Sequence, residues 1–319
     1  MFYSLTKQSE KAAFTLITMI KKIYLFTLFA LWGSIVYGQE VTEAPTDTLW
    51  RNSMNFGFNF NQAAFSDNWT GGGVNTIAFS SLLNAQANYK KGKWSWDNEL
   101  DMLYGVINNQ GQDFRKSQDR IFIDSKVGYD ISENWNGFGS LTFLTQFAPG
   151  FRYEELPNGG EDALKISDFL APAFVTSSIG FEYAPNDAFT LRLSPFSPRI
   201  TFVTDTTLIN NVPKNYGVER GETIRYEWFA LQIQAAYVKD LTERINLQTR
   251  YLLFANYENL TANQVDHRID ATLNAKLTDY INLSLSAIMI YDFDQVSEIQ
   301  FSQLLGIGIL LQKNGVVAE

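Results

Sequence analysis

The sequence predicts an all-β protein, a transmembrane antiparallel up-and-down β-barrel of about 12 strands, with 10 or 14 as alternatives. Three observations predict it. Apolar residues recur at every second position through most of the chain, which is the period of a strand. One parity of these runs is free of charge while the other carries Asp, Glu, Lys and Arg. The connections between runs alternate long and short, as they do in barrels that cross a membrane with tight turns at one end.

Composition sets the frame. The chain has 319 residues, 45% apolar, 15% aromatic and 18% charged, whereas a soluble domain usually carries about 25% charge. With no Cys there is no disulfide scaffold, thiol catalyst or thiolate metal site. A net charge of −9 would repel backbone phosphates, which excludes nucleic acid as a partner.

The N-terminus predicts export. Met19 to Gln39 reads MIKKIYLFTLFALWGSIVYGQ, two lysines followed by an apolar run from Ile23 to Tyr37 and a small residue at Gly38. That order is a secretory signal rather than a membrane span. Residues 1–38 are expected to be an over-extended N-terminus plus signal peptide, with the true start at Met19 and cleavage after Gly38. Losing Lys7, Lys11, Lys21 and Lys22 against Glu10 takes the charge to −9 − 3 = −12. Residues 39–50 are expected to be a periplasmic linker, 51–312 the barrel and 313–319 a C-terminal tail.

The strands follow in order, each set spaced mainly by two. They begin with Met54, Phe56, Phe58, Phe60, then Ile77 to Tyr89, Trp94 to Val106, Ile121 to Ile131, and Leu141, Phe143, Phe147. Next come Ala171 to Tyr183 and Phe189, Leu191, Leu193, with the ITFV segment read as a continuation of the last. The remainder are Phe229 to Tyr237, Ile245 to Leu253, Ile269 to Leu277, Ile281 to Tyr291 and Ile299 to Leu311. No Asp, Glu, Lys or Arg shares the apolar parity within these sets. A charge at the bilayer midplane costs about 2–4 kcal/mol, so hydrocarbon would impose that pattern. The opposite parity supplies lumen-facing charged candidates: Asp97, Glu99, Asp101, Asp124, Lys126, Arg192, Arg250, Arg268, Asp270 and Lys276.

Between the strands run long loops, Asn61 to Asn75, Asn108 to Asp119, Ala148 to Lys165 and Thr206 to Thr223, and medium ones, Asn256 to Asn263 and Asp292 to Glu298. They alternate with the short turns KKGK, SEN, APNDA, DLTER and TDY. An aromatic girdle of Tyr89, Trp94, Trp96, Tyr129, Trp135, Tyr183 and Tyr237 lies beside the short turns, at one water-lipid boundary. Pro172, Pro195 and Pro198 fall in or beside strands, where each removes a ladder donor, and they predict a bulge or strand end near Ser194 to Pro198.

Candidate chemistry is sparse. The one histidine, His267, has Asp266 and Asp270 nearby, and a His-carboxylate pair could serve general-base catalysis. Parity separates them, placing His267 with Ile269 and the carboxylates on the other side of the wall. The row Asp97, Glu99, Asp101 could bias a pore toward cations, or pair with Lys126, Arg192, Arg250, Arg268 or Lys276 across a filled lumen. SDNWTGGGVNT reads as a loop turn, and the two loop carboxylates of YDFDQ are too few for calcium. No catalytic, cofactor-binding or metal residue is assigned, and no cofactor is expected.

The segments NWTGGGVNTIAF, GKWSWDNELDMLYG, RKSQDRIFIDSKVGYDIS, LTQFAPGF, ISDFLAPAF, SIGFEYAP, LSPFSPRITFVTD, LFANY and IMIYDFD resemble the bacterial family known as domain of unknown function 3078, found chiefly among Bacteroidetes. The resemblance spans about Trp50 to Gln312. It implies a Gram-negative envelope protein and supplies no reaction, ligand or catalytic residue.

These readings together predict a cell outer-membrane barrel acting as a narrow pore or transporter for small solutes or apolar ligands. A structural or adhesive barrel working through its long extracellular loops is the alternative. An envelope lipase or protease is disfavoured, since there is no lumen-facing His and no Cys. Expected partners are outer-membrane lipid, the outer-membrane assembly machinery and a small-molecule ligand.

Overall fold

A computed structural model describes residues 50–317 apart from 67, 69, 72, 158, 159, 213 and 279. The signal segment, the expected start at Met19 and the linker up to residue 49 lie outside the described residues.

Every run with a two-residue period forms a strand, with end residues such as Phe147, Ala171, Phe229 and Leu277 falling just beyond the strand ends. The strands are β1 (Trp50–Ala63), β2 (Thr76–Lys91), β3 (Trp94–Asn109), β4 (Arg115–Asp130), β5 (Trp135–Thr145), β6 (Gly150–Glu155), β7 (Glu161–Ser167) and β8 (Ala173–Asn186). They continue as β9 (Phe189–Phe196), β10 (Arg199–Phe202), β11 (Ile224–Glu227), β12 (Ala230–Thr242), β13 (Ile245–Asn256), β14 (Asp266–Lys276), β15 (Ile281–Asp292) and β16 (Val296–Val317). Each pairs antiparallel with its neighbours.

Closure runs through two seams. At the first, β1 pairs with β16 from Trp50↔Val317 to Phe60↔Ile307. At the second, β8 pairs with both β9 and β10, while β9 pairs with β12 and β10 with β11. β9 and β10 are therefore two halves of one barrel strand, as are β11 and β12. The ring is β1-β2-β3-β4-β5-β8-β9/β10-β11/β12-β13-β14-β15-β16, twelve strands closed through β8–β9 and β1–β16. Closure matters because no unpaired edge can face hydrocarbon.

The prolines act as expected. The break between β9 and β10 falls at residues 197–198, and the β8–β9 register shifts between Ile179 and Phe181. Small residues let the kinked corner close: Ser197 donates to Ser178 Oγ at 3.0 Å, and a Cβ on Gly180 would stand 2.0 Å from Leu193 O. The two-residue turn at residues 92–93 uses Gly92 at φ 57°, the positive φ that such a hairpin favours.

Three boundaries differ from the sequence reading. β16 runs to Val317, so most of the expected tail pairs with β1; backbone pairing continues because NGVV carries no breaker strong enough to stop it. The connection read as Asp292 to Glu298 shrinks to residues 293–295, since Asp292 accepts the amides of Asp294 and Gln295 and closes a tight turn. The one read as Asn108 to Asp119 shrinks to residues 110–114 because polar residues extend the ladder past the apolar run.

Sidedness is inverted relative to a soluble protein. Phe56, Phe58, Ile123, Leu141, Ile179, Phe181, Leu305, Ile307 and Ile309 on the outer parity are 38–59% exposed, whereas Asp124, Lys126 and Glu182 on the inner parity are only 4–6% exposed. A continuous exposed apolar band is unfavourable in water and is the surface of a lipid-facing wall. No described helix is long and apolar enough to cross a membrane, so any crossing is made by strands.

Candidate functional site

The inward parity builds a stack of ion pairs through the lumen. Nearest the short turns, Lys126 of β4 reaches Glu182 of β8 at 2.7 Å and Asp97 of β3 at 3.2 Å. Arg192 of β9 donates to the same Glu182 at 2.9 Å and to Asp124 of β4 at 2.6 Å. One layer further in, Arg250 of β13 donates to both carboxylate oxygens of Glu99 of β3 at 2.8 Å. Above it Arg120 of β4 bridges Asp101 of β3 and Asp270 of β14, both at 2.8 Å, and Arg268 closes on Asp270 at 2.8 Å. Toward the long loops, Arg199 of β10 meets Asp266 of β14 at 3.1 Å.

Ring position gives two of these pairs their meaning. β3 and β13 are six strands apart in either direction, as are β4 and β14. Glu99–Arg250 and Arg120–Asp270 therefore join opposite walls. A round twelve-stranded barrel with strands about 4.8 Å apart and tilted about 40° would be about 24 Å wide between backbones. Extended Arg and Glu side chains joined by a hydrogen bond span about 15 Å. The ring is drawn in along this axis, and the lumen is bridged rather than open.

Apolar inward residues support the cations. Arg250 lies 5.0 Å from the centroid of Phe122, and Arg199 lies 3.2 Å from Phe254 and 5.5 Å from Phe174. These rings shed water from one face of each guanidinium and add cation–π attraction. The sequence reading missed them because it treated the inner parity as polar. It also missed Arg120 and Arg199, which lie at the start of their runs. For Arg120 the signal was present, since it shares the parity of Asp124 and Lys126; Arg199 was hidden because the break at residues 197–198 switches the inward parity between β9 and β10.

Of the charged candidates, Asp97, Glu99, Asp101, Asp124, Lys126, Arg192, Arg250, Arg268 and Asp270 all enter this stack. Lys276 does not: it is exposed at the end of β14, beside the turn. Seven carboxylates (Asp97, Glu99, Asp101, Asp124, Glu182, Asp266, Asp270) face six cations (Arg120, Lys126, Arg192, Arg199, Arg250, Arg268). The acidic row is neutralised, so it does not form a cation-selecting ring.

The girdle assembles through cross-strand neighbours. Trp94 packs on Tyr129 at 5.0 Å, Trp135 on Tyr183 at 5.0 Å, and Trp50 on both Tyr89 at 5.2 Å and Trp96 at 5.8 Å. Tyr237 stands opposite Phe189. Neighbouring Trp and Tyr rings in tilted and edge-on contact are what a wall carries at a water-lipid boundary.

His267 lies on the outer face. Its Nδ1 is 2.8 Å from the Tyr251 hydroxyl, and its ring lies between Tyr251 and Tyr291. Asp266 and Asp270 are engaged by arginines inside the wall. The described residues form no His-carboxylate pair.

The loop side is folded. β6 and β7 form a hairpin inside the long connection from β5 to β8, its base tied by Asp119, which accepts the amides of Phe147 and Ala148 at 2.6 and 2.8 Å. Residues 203–223 make a small core of Val203, Leu208, Val212, Tyr216 and Val218 against Ala171 and Ile166. Beside β11 a cleft of about 30 Å³ is lined by Arg225, Glu227, Phe254, Asn256, Asp266 and Asp294.

Strand count, closure, inverted sidedness and a bridged polar lumen define the molecule as a closed β-barrel of the membrane-spanning type. The family resemblance is borne out over part of its span: residues 60–151 match the model of a family described as "Protein of unknown function (DUF3078)". No curated protein matches the chain.

Among solved structures, the chain is similar to an outer membrane channel from Pseudomonas putida F1, with 8% identity, 88% of this chain and 100% of that chain covered, and a TM-score of 0.37. It is also similar to the translocator domain of the autotransporter NalP from Neisseria meningitidis, with 10% identity, 92% and 96% covered, and a TM-score of 0.34. The P. putida toluene transporter TodX is similar at 9% identity, 86% and 91% covered, and a TM-score of 0.28. With likenesses this low, the barrel rests on its own strand register.

Proposed function

We propose that this protein is a gated narrow channel of the Gram-negative outer membrane, conducting small polar solutes and shut at rest. The observation that carries the reading is the bridging of opposite walls by Glu99–Arg250 and Arg120–Asp270. A barrel filled for stability alone has no need of charge, because replacing enclosed ion pairs with packed apolar side chains is often neutral or stabilising. Ion pairs in contact with water can exchange partners, and they leave a polar path when they part. The rest of the lining agrees. Asn84, Gln86, Asn246, Gln248, Asn274 and Asn282 share the inward parity toward the short turns, so an apolar ligand would find no continuous surface.

The test is single-channel recording of purified protein in planar bilayers. Wild type is expected to be silent or to open rarely. Arg250→Ala with Arg120→Ala should give frequent ohmic steps. Silence of the folded double variant over a range of salts would overturn the proposal. That outcome would favour the second reading, a structural or adhesive barrel acting through its loops, which draws support from the folded loop side.

A further inference from the structure

Residues 203–223 leave the wall between β10 and β11 and touch two places. One is the β6–β7 hairpin with the segment leading to β8; the other is the turn at residues 293–295. The hairpin sits between β5 and β8, and the turn between β15 and β16, so six barrel strands separate them in either direction. A segment that contacts both crosses the mouth along a diameter.

Each attachment carries an ion pair, Lys165–Asp205 at the hairpin end and Arg225–Asp294 at the other, but only the hairpin end adds an apolar core. At the hairpin end, Leu208, Val203 and Val218 are at most 3% exposed and pack on Ala171. Tyr216 donates its hydroxyl to Ile166 O at 2.6 Å, and Asn211 donates to Lys165 O at 2.7 Å. At the far end the contacts are polar and wetter. Lys214 donates to Phe293 O at 2.6 Å and to Ser297 Oγ at 2.7 Å while lying over the Phe293 ring. Arg225 pairs with Asp294, whose side chain is 38% exposed. Apolar burial is insensitive to ionic strength, whereas exposed ion pairs are weak and screened by salt.

The elbow beside the polar end is bent against its preference. Asn215, Tyr216 and Gly217 have φ of 46°, 55° and 77° in succession. A Cβ on Gly217 would stand 1.7 Å from Arg225 Nη1. Non-glycine residues keep a left-handed backbone only where surrounding contacts over-determine it. Beside the elbow's own bonds, Asn215 Nδ2 to Val218 O at 3.0 Å and Gly217 N to Lys214 O at 2.8 Å, it is held by the Tyr216 bond on one side and by Arg225, fixed by Asp294, on the other.

We infer that residues 203–223 are a strap across the barrel mouth, hinged on the apolar core at the β6–β7 end and latched to the 293–295 turn by Lys214, with the Arg225–Asp294 pair at the start of β11 packed against the strap's elbow at Gly217. Releasing the latch parts Arg225 from Asp294, two of the residues that line the cleft beside Asn256, and lets the strap swing toward its hinge. The inference concerns access to the lumen, and only its consequence for conduction rests on the channel reading.

The test uses the cysteine-free chain with Asn256→Cys as a reporter, folded in detergent and labelled by a charged methanethiosulfonate. Labelling should be slow at low salt. It should rise about tenfold in about 1 M salt, where screening reaches ~3 Å, and likewise on adding Asp294→Asn at low salt. Joining Lys214→Cys to Ser297→Cys with a reducible bismaleimide, before a single reporter is read by protection of residues 203–223 from trypsin, should restore protection at high salt until reductant is added. Salt-independent labelling in the reporter chain, or acceleration by Leu208→Ala but not by Asp294→Asn, would overturn the inference. A strap that moves in a protein that never conducts would sink the channel reading and leave the strap standing. Ohmic steps with labelling unchanged would do the reverse.

Discussion

Arg250 and Glu99 are 151 positions apart in the chain and six strands apart in the ring, yet the guanidinium donates to both carboxylate oxygens at 2.8 Å. No local pairing brings them together: β3 neighbours β2 and β4, and β13 neighbours β12 and β14. Their contact requires opposite walls to approach, which links the charge pattern of two strands to the shape of the whole barrel.

Cutting this bridge should weaken the fold moderately. Arg250→Ala leaves Glu99 with the Asn84 amide at 3.3 Å. The pair is partly wet, at 28% and 21% side-chain exposure, so the expected loss lies between that of an exposed and a buried pair, about 1–3 kcal/mol. Adding Glu99→Gln should recover part of it. Urea unfolding in detergent, followed by heat-modifiable gel migration, checks both values, and equal losses in the single and double variants would contradict the pairing.

The layer beside the short turns should be the more sensitive one. Glu182 takes three charge-assisted bonds from Lys126 and Arg192 and is only 4% exposed. Glu182→Gln takes one of two carboxylates from each of two enclosed cations, leaving Lys126 with Asp97 and Arg192 with Asp124, with an expected cost of about 2–3 kcal/mol. Asp130→Asn removes only the exposed pair with Lys90 and should cost less than about 1 kcal/mol. The same unfolding series ranks them, and a reversed order would count against the buried layer.

The corner at the β8–β9 seam makes a steric prediction. A Cβ at Gly180 meets Leu193 O at 2.0 Å, whereas at Gly139, on the same wall, the nearest atom is 4.0 Å away. Gly180→Ala should block formation of the heat-modifiable barrel, and Gly139→Ala should fold normally. Normal folding of both would show that the seam is looser than its register implies.

Asp205 supplies a pH prediction outside the membrane wall. Its Oδ2 accepts from Lys165 at 2.6 Å, and its Oδ1 accepts from the amide and hydroxyl of Thr207. These bonds, the Lys165 bond foremost, hold the carboxyl at about 2, below the ordinary Asp value of about 3.9. A folded value lower than the unfolded one contributes stability above about pH 4 and loses it as pH falls through about 2. The Thr207 amide resonance should therefore titrate with a midpoint near 2, and Asp205→Asn should abolish that step. A midpoint near 4 would mean that the cap does not form.

Strand number and sidedness were legible because a two-residue period and a charge-free parity are local properties. Lipid acts on each position separately, so Ile307 and Phe301 declare their side without their partners. Pairing across the lumen was not legible. That Arg250 meets Glu99 rather than the adjacent Asp270 depends on ring opposition, which emerges only once all twelve strands are counted and closed. The strap was hidden for a different reason: Leu208, Val212 and Tyr216 repeat every four residues, yet the segment forms two short 3₁₀ turns, Thr206–Asn210 and Asn215–Gly217, rather than a helix. The extension of β16 to Val317 was missed because pairing is made by the backbone, which the apolar pattern does not report.

The claim on which everything else stands is that the odd parity of strands such as β14 touches hydrocarbon. A set of single-cysteine variants from His267 to Lys276, carrying an environment-sensitive dye in lipid bilayers, tests it most directly. The account predicts emission alternating residue by residue, blue-shifted and bright at 269, 271, 273 and 275 and quenched by brominated lipid, dim and unquenched at 268, 270, 272 and 274. Uniform emission along the strand, or the inverse alternation, would contradict it.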